Sequence, residues 1–493
     1  MRSRRTRLQQ KSLSLFDESA LTQIPVQPAD ESDGLRVPPA QMEGQTREAV
    51  VSDVAVSVAA VSLPLRLMEQ VVARRNMLSA LERVERNKGA AGVDGMGTKD
   101  LRAHLRTHWP LLKCALLEGA YRPQAVRRVE IPKPDGSKRM LGIPTVLDRL
   151  VQQALLQQAL LQVLTPLFDP HFSPCSYGFR PGCRGTDAVL KAREHVREGF
   201  SWTVDLDLEK FFDRVNYDML MARVARRVGG GDKHILLLIR RFLRSGVLVN
   251  GVSVCNEEGT PQGGPLSPLL ANILLDDFDK ELEQRGHRFV RYADDCNIYV
   301  GSLRAGERVR RSLTHYLKHR LRLTVNQSKS AVARPWQRKF LGFSLVAKDQ
   351  RIRLAPETVK KVKDKIRDRT QRKRAVSMDE RIQSLNQYLR GWLGYFALAE
   401  TPWVFRELAS WLRRRLRMCQ WKDWKQPCTR ARALRALGLR AEDARSAAGV
   451  SRGYWRMAMS RPLHKAMSIR YWNAQGLINL GDRHQRLRKQ RLS

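Results

Sequence analysis

The sequence predicts an α+β fold, in which an antiparallel sheet with surrounding helices is followed by a helical C-terminal region. The first observation is "FVRYADDCNIYVG" (289–301), where strand-forming residues flank two adjacent aspartates. The second is "TVDLDL" (203–208), where apolar and polar residues alternate with the period of a strand. The third is the region from residue 355 onward, whose pattern is helical and rich in arginine and tryptophan.

The charge of the chain indicates a nucleic-acid partner. The 493 residues include 89 Lys and Arg against 49 Asp and Glu, a formal net charge of +40. Residues 351–493 carry 35 basic and 11 acidic residues, whereas residues 1–60 carry 7 and 8. Such a field attracts a polyanion, and nucleic acid is the usual one. We expect no membrane partner, because the sequence has no amphipathic anchor and no uninterrupted apolar span.

The seven cysteines are scattered, and none has CxxC spacing. Neither a zinc ribbon nor a disulfide framework is therefore indicated. The N-terminal "MRSRRTRLQQKSLS" is not followed by an apolar leader segment. We expect a reducing, cytoplasmic location.

The remaining elements follow in chain order. Residues 1–60 are polar and poor in aromatic residues, so we expect them to be disordered. Helices are expected from about Leu65 to the loop "KGAAGVDG" and over Lys99–Glu118. "RRVEIPKPDGSKRMLGIPTV" predicts two strands joined by a Pro-Asp-Gly turn, and "VLDRLVQQALLQQALLQVL" a buried helix. Further helices are expected at 216–228, 232–245 and 305–321, with a short hairpin around 250–251.

The acidic residues of the second stretch decide how the Asp-Asp pair is interpreted. Asp205 and Asp207 share one face, because a strand has a period of two. If their strand lies beside the hairpin that carries Asp294 and Asp295, the carboxylates converge and raise each other's pKa unless cations neutralise them. Mg²⁺ prefers such oxygen ligands, and a pair of ions suits phosphoryl transfer. The alternative is an ordinary turn that happens to contain two aspartates.

Several blocks in order resemble the group II intron-encoded reverse transcriptases, also called maturases. The resemblance covers roughly residues 65–490. It rests on "NKGAAGVDG", "IPKPDGSKRMLGIPTVLDRLVQQAL", "SYGFRPGCRGTDAV", "DLEKFFDRVNYDML", "GTPQGGPLSPLLANI", "YADD", "LRLTVNQSKS", "LNQYLRGWLGYF" and "WLRRRLRMCQWKDW". It implies a right-hand polymerase fold and an RNA-directed DNA polymerase, which adds dNTPs to a primer 3′-OH with two Mg²⁺ ions and assists splicing and retrohoming of its intron.

The resemblance also implies a division of the chain. Fingers and palm would occupy 65–343, with the N-terminal extension loop at 87–95. The thumb, or maturase RNA-binding domain, would occupy 350–430, and a small basic helical domain that binds RNA or DNA would occupy 431–493. The family's HNH nuclease carries paired cysteines, and since this chain has only Cys428 after Cys419, we expect no endonuclease domain.

The catalytic residues implied by the resemblance are Asp207, Asp294 and Asp295, which would also hold the metal ions. Asp295 would bind metal more loosely or orient the hairpin, and Asp205 would be accessory. Phe212 stands where a ring crowds the 2′ position of the nucleotide sugar and so favours deoxynucleotides.

The resemblance also implies contacts to the nucleotide and the template. Lys133 and Arg139 would meet the triphosphate, although two solvated hairpin charges are the alternative. Gln262 would touch the nucleotide or the minor groove of the duplex. Lys329 either lies near the triphosphate or is a plain surface lysine. Arg180 either contacts template or nucleotide or holds its own loop.

The C-terminal arginines are expected to contact RNA. Four of them lie close together in "WLRRRLRMCQ", namely Arg413, Arg414, Arg415 and Arg417. Burying four charges is costly, so we expect them at the surface, where they track phosphates. Trp411, Trp421 and Trp424 either stack on bases or pack in a core, and we favour core packing.

The implied partners are intron RNA, an RNA template–primer duplex and target DNA, in a bacterial ribonucleoprotein, and a homodimer is left open. Two other functions remain in view. One is an RNA chaperone with vestigial catalysis, which the intact aspartate triad disfavours. The other is a domesticated reverse transcriptase in repair or phage defence, which only the DNA around the gene would distinguish.

Overall fold

The computed structural model of the chain describes residues 67–132, 138–158, 172–209, 211, 214–228, 233–249, 252–254 and 264–492. The expected disorder of residues 1–60 lies outside this range. The chain divides into two compact units, Met1–His171 with Lys210–Leu274, and Phe172–Glu209 with Leu275–Ser493. These units cut across the expected domains, because segment 65–343 contributes to both.

The helices are α1 (Leu67–Val72), α2 (Arg74–Asn87), α3 (Leu101–Leu117), α4 (Val146–Gln158), α5 (Gly185–Arg197), α6 (Tyr217–Val228), α7 (Lys233–Leu243), α8 (Ser267–Gln284), α9 (Leu303–Arg320), α10 (Pro356–Arg369), α11 (Met378–Phe396), α12 (Pro402–Asp423), α13 (Pro427–Ala436), α14 (Ala441–Gly449), α15 (Tyr454–Met457), α16 (Arg461–Ala466), α17 (Ile469–Ala474) and α18 (Leu480–Leu492). The strands are β1 (Val126–Pro132), β2 (Lys138–Ile143), β3 (Trp202–Asp207), β4 (Val247–Val249), β5 (Val252–Val254), β6 (Arg288–Tyr292), β7 (Asp295–Val300), β8 (Ala331–Ala333), β9 (Phe343–Leu345) and β10 (Ile352–Leu354).

The first unit contains a four-stranded sheet in the order β2-β1-β4-β5. Strands β1 and β2 pair antiparallel, as the two-strand pattern around Pro-Asp-Gly predicts, and β1 runs parallel to β4. A buried carboxylate ties α4 to the segment before β1. Asp148 accepts hydrogen bonds from the Tyr121 hydroxyl at 2.7 Å, the Thr145 hydroxyl at 2.7 Å and the Gln124 backbone N–H at 3.2 Å. These donors satisfy a charge that would otherwise be costly to bury.

The second unit is built on an antiparallel sheet in the order β6-β7-β3-β8. Helix α9 lies directly on one face, where Gly306 makes room for the contact. A Cβ at Gly306 would lie 2.5 Å from Val332 Cγ1 on β8. The opposite face packs against α5 through one hydrophobic cluster, which includes Val189, Val290 and Tyr299.

The C-terminal helices share this cluster. It continues through Leu385 of α11, Leu412 of α12 and Leu434 of α13 to Trp472 of α17. The expected boundary between residues 430 and 431 lies inside α13. The segment 431–493 therefore does not form a core of its own but packs with the helices that precede it.

The tryptophan prediction for this region is confirmed. Trp421 is 1% exposed, and Trp411 and Trp424 pack against the same cluster. In the part of the chain that is described, no helix is long and apolar enough to cross a membrane.

Candidate active site: carboxylates on one face of the sheet

Strand register brings the predicted aspartates together. Asp207 on β3 lies directly opposite Asp295 on β7, and Asp295 in turn lies opposite Tyr292 on β6. Residues paired across an antiparallel sheet project from the same face. Asp205 pairs with Asn297 and shares this face as well, two residues before Asp207. The convergence that the sequence pattern predicts is confirmed for the backbone.

Asp294 lies in the tight turn of the hairpin, between β6 and β7. The preceding Ala293 has a φ of 59°, in the left-handed region that residues with a Cβ rarely adopt. The turn also meets a loop at very close range. A Cβ at Gly178 would lie 2.2 Å from the backbone nitrogen of Ala293, so only glycine allows this approach.

A buried ion pair holds the turn in place. Arg291 is 1% exposed, and its Nε donates to Asp279 Oδ1 on α8 at 2.6 Å. Its Nη1 donates to the carbonyl oxygen of Ala293 at 2.9 Å, and its Nη2 donates to the Ser176 hydroxyl at 2.8 Å. One guanidinium thus joins a helix, the turn and the loop that contains Gly178. Sequence reasoning did not identify Arg291 or Asp279.

The electrostatic environment differs from one aspartate to the next. Burial raises the pKa of the Asp295 carboxyl from its ordinary 3.8 to about 7. The neighbouring carboxylates act in the same direction, in the order Asp205, Asp294 and Asp207. A cation at this face would relieve this repulsion.

Asp205 already has a cation partner within the chain. Arg338 Nε donates to Asp205 Oδ2 at 2.8 Å, and a second guanidinium nitrogen contacts the same oxygen. Burial nevertheless raises the pKa of Asp205, against the charge of Arg338. Asp207 is 40% exposed and has the Lys329 ammonium 3.7 Å from its Oδ2. This contact places Lys329 beside the carboxylates.

A cleft of about 620 Å³ opens in front of Asp205, Asp207 and Asp295. This volume lies within the range of small-molecule sites. Its other lining residues are mostly basic or polar and include Lys329, Arg338, Lys339 and Arg353. The cleft therefore combines a carboxylate wall with basic side chains that suit phosphate groups.

The carboxylates form an open site. Among the described residues, no group of three His, Cys, Asp or Glu side chains is arranged to hold a metal ion by itself. The donor set fits Mg²⁺ in another way, because Mg²⁺ usually takes one or two carboxylates and completes its shell with waters and substrate phosphates. Asp207 and Asp295, paired across the strands, would provide those carboxylates.

The other residues predicted to contact nucleotide or template differ in their location. Lys133, Phe212 and Gln262 lie outside the described residues. Arg139 lies in β2, opposite Ile131. Arg180 holds its own loop, since its Nη1 donates to the carbonyl oxygens of Ser173 at 2.6 Å and Ser176 at 2.7 Å.

The four C-terminal arginines lie on α12 in different environments. The expectation that all of them stay at the surface is wrong for Arg417, which is 4% exposed. Its Nε donates to the Ala458 carbonyl at 2.8 Å, and its Nη2 lies 2.9 Å from His464 Nε2, so neutral partners compensate the burial. Arg414 stacks on the ring of Trp455, 3.7 Å from its centroid. Arg415 donates to the Thr370 hydroxyl at 2.9 Å, and Arg413 is partly buried.

Comparisons with known proteins assign two parts of the chain to families. Residues 131–345 match the family model "Reverse transcriptase (RNA-dependent DNA polymerase)", and residues 359–438 match "Group II intron, maturase-specific domain". Protein YkfC of Escherichia coli is 30% identical over 312 residues, which cover 55% of this chain and 80% of YkfC. The group II intron-encoded protein LtrA of Lactococcus lactis is 34% identical over 226 residues, 46% of this chain but only 35% of LtrA.

Solved structures resemble the chain more remotely. The partial Cas6-RT-Cas1–Cas2 complex is 22% identical with a TM-score of 0.34, and the match covers 52% of this chain and 43% of that chain. Telomerase from Candida albicans is 14% identical with a TM-score of 0.37, over 60% of this chain and 59% of that chain. The classification therefore depends on the family models and the curated relatives.

Replacing Asp295 with Asn is expected to stabilise the protein in buffer without divalent ions. The native carboxyl takes up its proton with a pKa of about 7, whereas the unfolded carboxyl has an ordinary pKa of about 3.8. The native state therefore binds more protons in this interval, and its stability falls as pH rises through it. We expect D295N to raise the thermal midpoint by roughly 2–4 °C at pH 8, and by less at pH 5.

The control for this measurement is D349N. Asp349 has a lowered pKa because of its backbone and side-chain hydrogen bonds with Arg351, so its removal should not stabilise the protein. Added Mg²⁺ should stabilise the wild type more than D295N. A lower midpoint for D295N at pH 8 without metal would show that Asp295 is not under electrostatic stress.

Removing Arg291 is expected to destabilise the second unit strongly. R291M leaves the Asp279 carboxylate buried without its cation, which costs about 3–5 kcal/mol in comparable buried pairs. Urea unfolding would measure the loss, and D279N in the R291M background should recover part of it. K191M is the control, because Lys191 pairs with Glu194 at the surface and such pairs contribute at most about 1 kcal/mol. Equal small effects of R291M and K191M would contradict this role.

Proposed function

The chain belongs to the family of group II intron-encoded reverse transcriptases and maturases, and on that premise we propose how its site works. A reverse transcriptase of this family is an RNA-directed DNA polymerase with nucleic-acid partners and a requirement for a divalent metal. We propose that this chain extends a primer 3′-OH with dNTPs on an RNA template, using two Mg²⁺ ions held by Asp207, Asp294 and Asp295. The pairing of Asp207 with Asp295 on the open face carries this proposal.

Each side chain in the cleft has a distinct part in the proposal. Metal ions bound by the carboxylates would neutralise the triphosphate and activate the primer hydroxyl. Asp207 and Asp295 present oxygen ligands from adjacent strands, and Asp294 adds a third from the turn. Arg338 forms an ion pair with Asp205, and this pairing leaves the Asp205 carboxylate in an accessory role. Lys329 lies near Asp207 and would be available to a nucleotide phosphate when Asp207 binds a metal ion.

The remaining predicted residues keep their expected contacts in the proposal. Lys133, Arg139 and Gln262 would contact the nucleotide or the duplex, and Phe212 would exclude a 2′-OH. Arg180 supports the loop before α5, and from there it would act on the template through that loop rather than through a free guanidinium.

The maturase activity is proposed for the C-terminal helices. Residues 351–493 carry a net charge of +24, which favours binding to the phosphates of an intron RNA. Arg413, Arg414 and Arg415 line α12 with partly exposed side chains, whereas Arg417 stabilises the interior. Stacking of Arg414 on Trp455 holds a guanidinium plane in place for RNA contact. We extend the proposal to assistance in splicing, retrohoming into target DNA and a bacterial cytoplasmic setting, and membership of the family supports this extension.

Primer extension on an RNA template tests the polymerase part. Purified wild-type protein with dNTPs and Mg²⁺ should make cDNA, and D294A should reduce the rate at least about 100-fold, since removing a group that organises charge at the reacting centre typically has this effect. D364A is the matched control, because Asp364 is a half-exposed carboxylate on α10.

The same proteins distinguish an enzyme from an RNA chaperone. D294A should keep the RNA affinity of the wild type, because a carboxylate repels RNA phosphates rather than binding them. No cDNA from the wild type together with tight RNA binding would contradict the polymerase proposal and support vestigial catalysis.

A further inference from the structure

The loop before α5 contains a strained aromatic residue. Phe179 has a φ of 58°, in the left-handed region, where a bulky side chain is a genuine outlier. Its side chain is nevertheless 52% exposed, so burial within this chain does not compensate for the strain. Backbone strain of this kind tends to occur at functional sites, where surrounding contacts maintain it.

The contacts on both sides of Phe179 are fixed. On one side, the Tyr177 backbone N–H donates to the Arg291 carbonyl at 2.9 Å, and Gly178 lies against the nitrogen of Ala293. On the other side, Arg180 anchors the loop through Ser173 and Ser176. The loop is therefore held to the hairpin that carries Asp294, and Phe179 projects from it in one defined position.

The ring of Phe179 lies beside the carboxylate face. Its centroid is 6.3 Å from that of Tyr292, at an interplanar angle of 41°. Tyr292 is paired with Asp295, and Asp295 with Asp207, so all three side chains leave the sheet on the same side. A primer 3′-OH that reacts at these aspartates brings the last base pair of its duplex to this side of the sheet.

We propose that Phe179 is a positioning residue for the end of the primer–template duplex. Its exposed face packs against the sugar and base edge of the terminal pair, next to Tyr292. Contact between aromatic side chains and nucleotides is tolerant of sequence, because every nucleotide offers an apolar face. The contact holds the 3′ end at the carboxylates, and in that sense it rests on the proposed function.

Because the backbone of Phe179 is strained, substitutions there can separate loss of the duplex contact from loss of folding stability. F179G removes the ring and also relieves the left-handed backbone, so its thermal midpoint should equal or exceed that of the wild type. F179A removes the ring only, and F179Y keeps an aromatic ring. L303A is the matched control, because Leu303 is 45% exposed on α9, which packs on the opposite face of the sheet.

The measurement is fluorescence anisotropy with a short RNA template annealed to a DNA primer, together with steady-state extension of the same duplex. We expect F179A and F179G to raise the duplex Kd and the KM about 5- to 30-fold, with kcat at saturating duplex changed less than about twofold. F179Y and L303A should stay within twofold of the wild type, and single-stranded RNA should bind all five proteins equally.

An unchanged duplex Kd for F179A, or a loss that F179Y does not restore, would overturn the role of Phe179. An equal loss of affinity for single-stranded RNA would also overturn it, because the contact would then not be to the duplex end. Failure of the polymerase proposal gives a different result. In that case the wild type makes no cDNA, while the anisotropy comparison still decides whether Phe179 contacts the duplex.

Discussion

The buried ion pair between Arg291 and Asp279 is the constraint on which the rest of the site depends. A guanidinium and a carboxylate with 1% and 0% exposure are costly to bury, and their mutual hydrogen bonds offset that cost only when the geometry is kept. The remaining donors of Arg291 hold the Ala293 carbonyl and the Ser176 hydroxyl. The turn that contains Asp294, immediately before Asp295, is therefore held in place by an ion pair that would lose its stabilising hydrogen bonds if it moved.

This fixed turn explains how three carboxylates remain close to one another. Burial raises the pKa of Asp295 to about 7, and repulsion from Asp205, Asp294 and Asp207 acts in the same direction. This repulsion cannot be relieved by moving the turn, because Arg291 and the Gly178 contact hold it. Asp205 is paired with Arg338, which leaves the carboxylates of Asp207 and Asp295 facing the cleft without such a partner from Arg338. We propose that this stored repulsion is what a divalent cation relieves on binding.

The sequence predicted the parts of the fold and of the site that depend on local period. Alternation in β3 and the apolar flanks of the hairpin predicted two strands whose aspartates, including Asp294 and Asp295, converge if the strands are adjacent, and they are. The choice of Asp207 over Asp205 came from the family resemblance. Contacts between distant segments leave no periodic pattern in the sequence. The ion pair between Arg338 and Asp205 is an example, because these residues lie 133 positions apart. The prediction that Arg417 is exposed was wrong for a different reason. It assumed that a buried charge has no partner, whereas backbone carbonyls such as that of Ala458 accept its hydrogen bonds in the interior. The boundary at 431 remains a prediction, and composition could not show that the helices on its two sides share one hydrophobic cluster.

Counting bound metal ions tests the central claim most directly. Mn²⁺ would be titrated, with detection by electron paramagnetic resonance, into the protein bound to a primer–template duplex and a non-reactive dNTP analogue. The account predicts two ions for the wild type and for D205N, because Asp205 is already paired with Arg338, and at least one fewer for D207N. Equal stoichiometry for D207N and the wild type, or loss of an ion only in D205N, would show that the face of Asp207 and Asp295 is not the metal site.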